Sequence, residues 1–156
     1  MTRMIHVFER TTHEAHEWVN DLAGRSGWTN EREVLRLLRT VLVNIRDHLP
    51  VNEMAQFSAQ LPTILRGMYF EGWQPKKTPV KQRHAAEFVA QIEEKIGDVL
   101  DYRGEDDIAA VFKTINAHIP IVGLVKPVLQ EMLSLLDKLQ GKAEGKLDQA
   151  ALASWW

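Results

Sequence analysis

The chain contains no cysteine. That absence removes disulfides, thiol nucleophiles and thiolate metal sites together, and it fits a reducing compartment. Neither charge dominates: 19 Lys and Arg face 21 Asp and Glu, so no net field draws the chain to nucleic acid or to an acidic membrane. No run reaches the ~20 apolar residues of a membrane span. The opening M-T-R-M-I-H-V-F-E-R has too short an apolar run for a signal peptide. There is no glycine-rich phosphate loop, no H-E-x-x-H zinc-protease spacing and no readable nucleophile with a positioned base. The expectation is a soluble, cytoplasmic chain without a cofactor, with neither nucleic acid nor membrane as a partner.

What is present is helical periodicity. Ala15, Trp18, Val19 and Leu22 recur at three and four over about Thr12 to Ala23, with Thr11 or Thr12 as the expected cap and Gly24 and Gly27 as the stop. Asn30 and Glu33 have the spacing of a capping box ahead of a second helix. That helix carries Val34, Leu35, Leu37, Leu38, Val41, Leu42 and Ile45, a stripe broad enough to be buried on two sides. Asn52 is the expected cap of a short helix through Met54 and Phe57. Pro62 then restarts the chain as a further helix, since proline in a first turn loses no needed donor.

The stretch Gln60–Trp73 organises the first half, and Gly72–Lys81, with two prolines and three lysines, reads as an extended connector. Further helices are expected at about Val80–Ile96, Glu105–His118 and Leu124–Leu139. The halves align. E-W-V-N-D-L at Glu17–Leu22 matches E-F-V-A-Q-I at Glu87–Ile92, and Val34, Leu38, Val41 and Ile45 fall on Ile108, Phe112, Ile115 and Ile119. Leu61–Leu65 falls on Lys126–Gln130, each with a proline second. The fold expected is all-α: a helical bundle of two pseudo-repeated three-helix units with a short C-terminal helix. The first repeat spans 1–74, the connector 75–83, the second repeat 84–140, and a link with an apolar tail 141–156, all within one compact domain.

Three runs also carry a resemblance: R-T-V-L-V-N-I-R-D-H-L-P-V-N-E-M from Arg39, A-Q-L-P-T-I-L-R-G-M-Y-F-E-G-W-Q-P from Ala59, and P-V-K-Q-R-H-A-A-E-F from Pro79. Over nearly its whole length, the last ten residues excepted, the chain resembles a bacterial family catalogued as domain of unknown function 2267. The pattern L-P-x-x-x-R-G-x-Y-x-E-G-W is its most specific part. The resemblance implies helical structure, two related halves and bacterial origin, and it implies no activity. In the second half, Lys126-Pro127 stands where the first has Leu61-Pro62.

Four groups of residues are candidates for function. His13, His16 and Glu17 share a helix face at metal-chelating spacing, although an exposed polar face explains them without metal and is the favoured reading. Tyr69, Glu71, Trp73, Lys81, Arg83 and His84 bring acid, base and aromatic groups to one region, as a small-ligand pocket requires. Arg32, Arg36, Arg39 and Arg46, with Arg25, form a basic stripe that could hold phosphates, but it is interrupted by Glu31, Glu33 and Asp47 and reads rather as a solvated face paired with neighbouring acids. Leu147, Ala151 and Trp155, with Trp156 beside them, give the tail an apolar face that fits a partner's groove or the chain's own bundle. The first reading is a non-catalytic interaction or assembly module with a protein partner or a second copy. Its rivals are a small-ligand binder or enzyme using Tyr69 to His84, and a metal-binding protein using His13, His16 and Glu17.

Overall fold

A computed structural model describes residues 5–80 and 85–119. Their regular structure is helical throughout: α1 (His6–Ser26), α2 (Glu31–His48), α3 (Val51–Ala59), α4 (Thr63–Phe70), a 3-10 turn (Pro75–Lys77), α5 (Ala85–Ile96) and α6 (Glu105–His118). The expected helix at 124–139 and the tail lie outside the described residues. No described helix is long and apolar enough to cross a membrane.

Helix α2 is the axis. It packs against α1, α4, α5 and α6, and Val34, Leu37, Leu38, Val41, Leu42 and Ile45 are fully enclosed. The broad stripe therefore does mean burial on more than one side. Its start is also as expected: the Asn30 side chain accepts from the N–H groups of Arg32 (3.0 Å) and Glu33 (3.3 Å). The capping box is only half formed, because the Glu33 carboxylate faces Arg36, 3.7 Å away.

Other ends differ from expectation. α1 begins at His6 with no side-chain cap, so Thr11 and Thr12 lie inside it and the Thr11 hydroxyl has no hydrogen-bond partner among the described residues. Gly24 is helical; Gly27 alone ends α1, at φ 78°, a left-handed conformation that favours glycine, with its N–H on the Ala23 carbonyl. Asn52 caps nothing, since α3 starts one residue earlier behind Pro50. The restart at Pro62 holds: α3 stops at Ala59, and Pro62 is the residue just before α4, its carbonyl accepting from Arg66 at 2.8 Å. In the described part of the connector Gln74 and Thr78 are extended on either side of the 3-10 turn at Pro75–Lys77, and the chain returns to α2, where the Val80 N–H donates to the Asp47 carbonyl at 2.6 Å.

The pieces are tied at their ends. Arg46, 4% exposed, donates to the carbonyls of Tyr69 (2.9 Å) and Glu71 (2.8 Å) and pairs with Asp47 (2.8 Å). Arg66 donates to the carbonyls of Ser58 (2.9 Å) and Leu61 (3.0 Å). Arg36 reaches the Lys95 carbonyl and Asp98. Arg103 reaches the Ser26 carbonyl and the buried Asp107, which also accepts from the Trp28 indole at 3.1 Å. At the other end of α6, His118 stacks on Trp18 and meets Asp21 at 2.9 Å. The basic stripe pairs with neighbouring acids at Arg25 (Asp21), Arg36 (Glu33) and Arg46 (Asp47), but it is not one solvated face: Arg46 is buried and Arg36 closes α5, which leaves Arg32 and Arg39 as the exposed members without an ion pair among the described residues.

Arg46→Ala leaves two carbonyls at the end of α4 and the Asp47 carboxylate without their donor. Chemical denaturation should show a loss of about 2–4 kcal/mol. Arg46→Lys should recover little of it, because a point charge does not reproduce the planar fork; full recovery by lysine would refute the geometry. Gly67 is exposed within α4 with open space where a Cβ would stand. Gly67→Ala should therefore raise stability by about 0.5–1 kcal/mol in the same measurement.

Candidate functional site

The face of α2 that points away from the core carries Arg36, Arg39, Thr40, Val43, Asn44 and Asp47 at helical spacing. These residues floor a groove of about 510 Å³, a size within the range of ligand pockets. Gln91, Glu94 and Lys95 of α5 form one wall; Met68 and Glu71 at the end of α4, with Val80, form the other. α2 and α5 run antiparallel here. Arg36 meets Lys95 and Asp98 near the end of α5, while His48 meets Phe88 edge-on, ring centroids 5.2 Å apart, near its start. The groove therefore follows α2 for three turns, ~16 Å at 1.5 Å per residue.

Its charges fall into two groups. Arg36 and Asp47 are engaged in holding the fold. Arg39, Lys95, Glu71 and Glu94 form no ion pair among the described residues, and all four are exposed. Val43 and Met68 supply apolar surface between them. The groups such a site offers a ligand are charges of both signs and the amide and hydroxyl groups of Asn44, Gln91 and Thr40.

The residues expected from sequence are distributed differently. Tyr69 is 0% exposed and donates its hydroxyl to the Met54 carbonyl at 3.1 Å, so it is core. Trp73 is half-buried and donates its indole N–H to the Thr78 hydroxyl at 3.0 Å. Glu71 alone of the described members lines the groove. Lys81, Arg83 and His84 lie outside the described residues, as do Leu147, Ala151, Trp155 and Trp156. His13 Nε2 and Glu17 Oε1 stand 2.7 Å apart and His16 is exposed beside them. Among the described residues no three His, Cys, Asp or Glu side chains converge as a metal set. Sequence reasoning missed Thr40, Val43, Asn44, Gln91, Glu94 and Lys95. The signal was the second face of α2, but nothing in the pattern told which helix would wall it.

Both tyrosines of the chain are held protonated beyond their ordinary range. For Tyr69 burial is the main cause, Arg46 opposing it and Asp47 adding to it; for Tyr102 burial comes first, then the Glu93 carboxylate that its hydroxyl meets at 3.2 Å. The folded value lies above the unfolded value of 10.0 in each case. The stabilisation is therefore fully present below pH 10.0 and is lost as the pH rises towards the folded values. Ultraviolet titration should show no tyrosinate near pH 10.0 while the helices persist, and tyrosinate should appear together with the loss of the helical circular dichroism signal. Reversible ionisation of either ring near 10.0 in a folded chain would contradict the burial described.

A family model described as an uncharacterized conserved protein (DUF2267) matches residues 15–132. No curated protein matches the chain. The match takes in α2 to α6 whole, the larger part of α1, and both walls of the groove; the chain belongs to the DUF2267 family.

Proposed function

We propose that the protein is a non-catalytic recognition module, and that the groove along α2 takes a short polypeptide segment carrying both charges. The observation that carries this reading is the set of Arg39, Lys95, Glu71 and Glu94, without ion pairs among the described residues, around a polar floor with apolar patches. Charges of both signs arranged along a groove select a complementary sequence more than they add affinity.

The duplication, read as a proposal, sharpens the point. α1 packs on α6 and α5 on α2, so the first helix of each half lies on the second helix of the other. The aligned Trp18 and Phe88 each meet a histidine there, His118 and His48. In the alignment Asn44 corresponds to His118 and Gln91 to Asp21. His118 and Asp21 are bonded at 2.9 Å, whereas Asn44 donates to its own helix, to the Thr40 carbonyl, and Gln91 lines the groove opposite. On this reading one copy keeps its surface open and the other closes it.

The groove's volume favours a second reading, a small zwitterionic ligand. One experiment separates the two: a photo-crosslinking residue at Val43, with Leu100, 99% exposed and not among the groove's lining residues, as control. A polypeptide captured at Val43 and not at Leu100, with capture reduced about tenfold or more by Arg39→Glu with Lys95→Glu, supports the first reading. A retained small mass in native mass spectrometry that the same double variant releases supports the second. Equal capture at both positions and no retained mass would sink both readings, provided the variant keeps its helical signal.

A further inference from the structure

The apolar stripe of α1 is longer than its cover. Phe8, Thr11, Ala15, Trp18 and Leu22 follow one another at three and four, so they share one face of the helix; Ile5 adjoins that face one turn earlier. Ala15, Trp18 and Leu22 are buried. Thr11 is half-buried, and Phe8 and Ile5 are 56% and 57% exposed. The change comes where α6 ends, because the last residue of α6, His118, is the one that stacks on Trp18. From Trp18 to Phe8 the helix runs on for ~15 Å beyond that point, at 1.5 Å per residue.

Ile119, the last described residue, therefore follows directly on the His118 that stacks on Trp18, at the foot of the uncovered stripe. Its sequence ends in L-D-Q-A-A-L-A-S-W-W, which places Leu147, Ala151 and Trp155 on one helical face if helical. The family match begins at residue 15 and stops at 132. The exposed turns of α1 and the apolar tail both lie outside the matched residues.

We propose that the tail of the same chain, through Leu147, Ala151 and Trp155, docks on Ile5 and Phe8 of α1 and latches the two ends of the molecule together. A second copy is the poorer occupant. Ile5, Val7 and Phe8 offer a few side chains, against the ~800 Å² per partner of a stable interface. A tethered segment needs far less, because its effective concentration is in the millimolar range.

The lack of cysteine makes the test clean. Thr12→Cys, on the exposed side of the stripe, is combined with Ser154→Cys in the full chain and treated with a short bismaleimide at low protein concentration. Glu17→Cys with Ser154→Cys serves as the off-stripe control. The expected product is an internally crosslinked monomer, formed about tenfold more in the first pair than in the control, and lost on adding Ile5→Asp and Phe8→Asp while the circular dichroism is unchanged. A covalent dimer as the main product would assign the stripe to a second copy and overturn the proposal. So would the absence of any crosslink, or a crosslink indifferent to the two aspartates.

Discussion

The last carbonyls of a helix have no partner within it, and in this chain four arginines from other elements supply one. Arg103 closes α1 at Ser26, Arg66 closes α3 at Ser58, Arg46 closes α4 at Tyr69, and Arg36 closes α5 at Lys95. Each bond is assisted by charge, and each sets a cation against the negative end of a helix dipole. None of the four donors belongs to the helix it closes. Helix termination is thereby coupled to tertiary packing: the ends of α4 and α5 are fixed only when both lie against α2. α3 and α4 are a few turns long and would be marginal alone.

This constraint accounts for the run that carries the resemblance. In L-P-x-x-x-R-G-x-Y-x-E-G-W, Leu61 is buried, Arg66 closes α3, and Tyr69 fills the core while its hydroxyl reaches α3. Gly72 takes a left-handed turn at φ 72°, and Trp73 fastens the connector through Thr78. These residues hold a corner. Among them only Glu71 sends a side chain to the groove while its carbonyl is held by Arg46. The pattern is a folding signature, and a search for function centred on it looks at the frame instead of the opening beside it.

How far the sequence could be read follows from the range of the interactions. The Asn30 cap and the restart at Pro62 depend on residues a few positions apart, and both were legible. The arginines were not. Arg36 and Arg46 share the spacing of Arg32 and Arg39, so periodicity groups all four as a solvated stripe. Their separation into capping and exposed groups depends on Lys95, Asp98, Tyr69 and Glu71, which are distant in sequence. Trp28 and Asp107 illustrate the same limit: they meet across the chain through a bond that no local pattern announces. Tyr69 was drawn into a candidate site because its aromatic and polar character suits a pocket wall as well as a core. Burial decides for the core. The reach of α1 back to His6 was missed for the opposite reason, since it starts without any capping side chain.

The same division of labour bears on the groove. Once Arg36 and Arg46 are committed to helix ends and Asp47 to Arg46, the charges left lining the groove are Arg39, Lys95, Glu71 and Glu94, and all are exposed. Changing an exposed side chain that makes no bond to the frame alters stability little, and at Glu71 it is the backbone carbonyl, not the side chain, that Arg46 holds. These four positions are therefore free to vary without disturbing the frame, whereas Arg36, Arg46, Arg66 and Arg103 are not. A scaffold whose cations are sorted in this way keeps its fold while its recognition surface is retuned, and the sorting is made by α2, which presents one face to the core and the other to the groove.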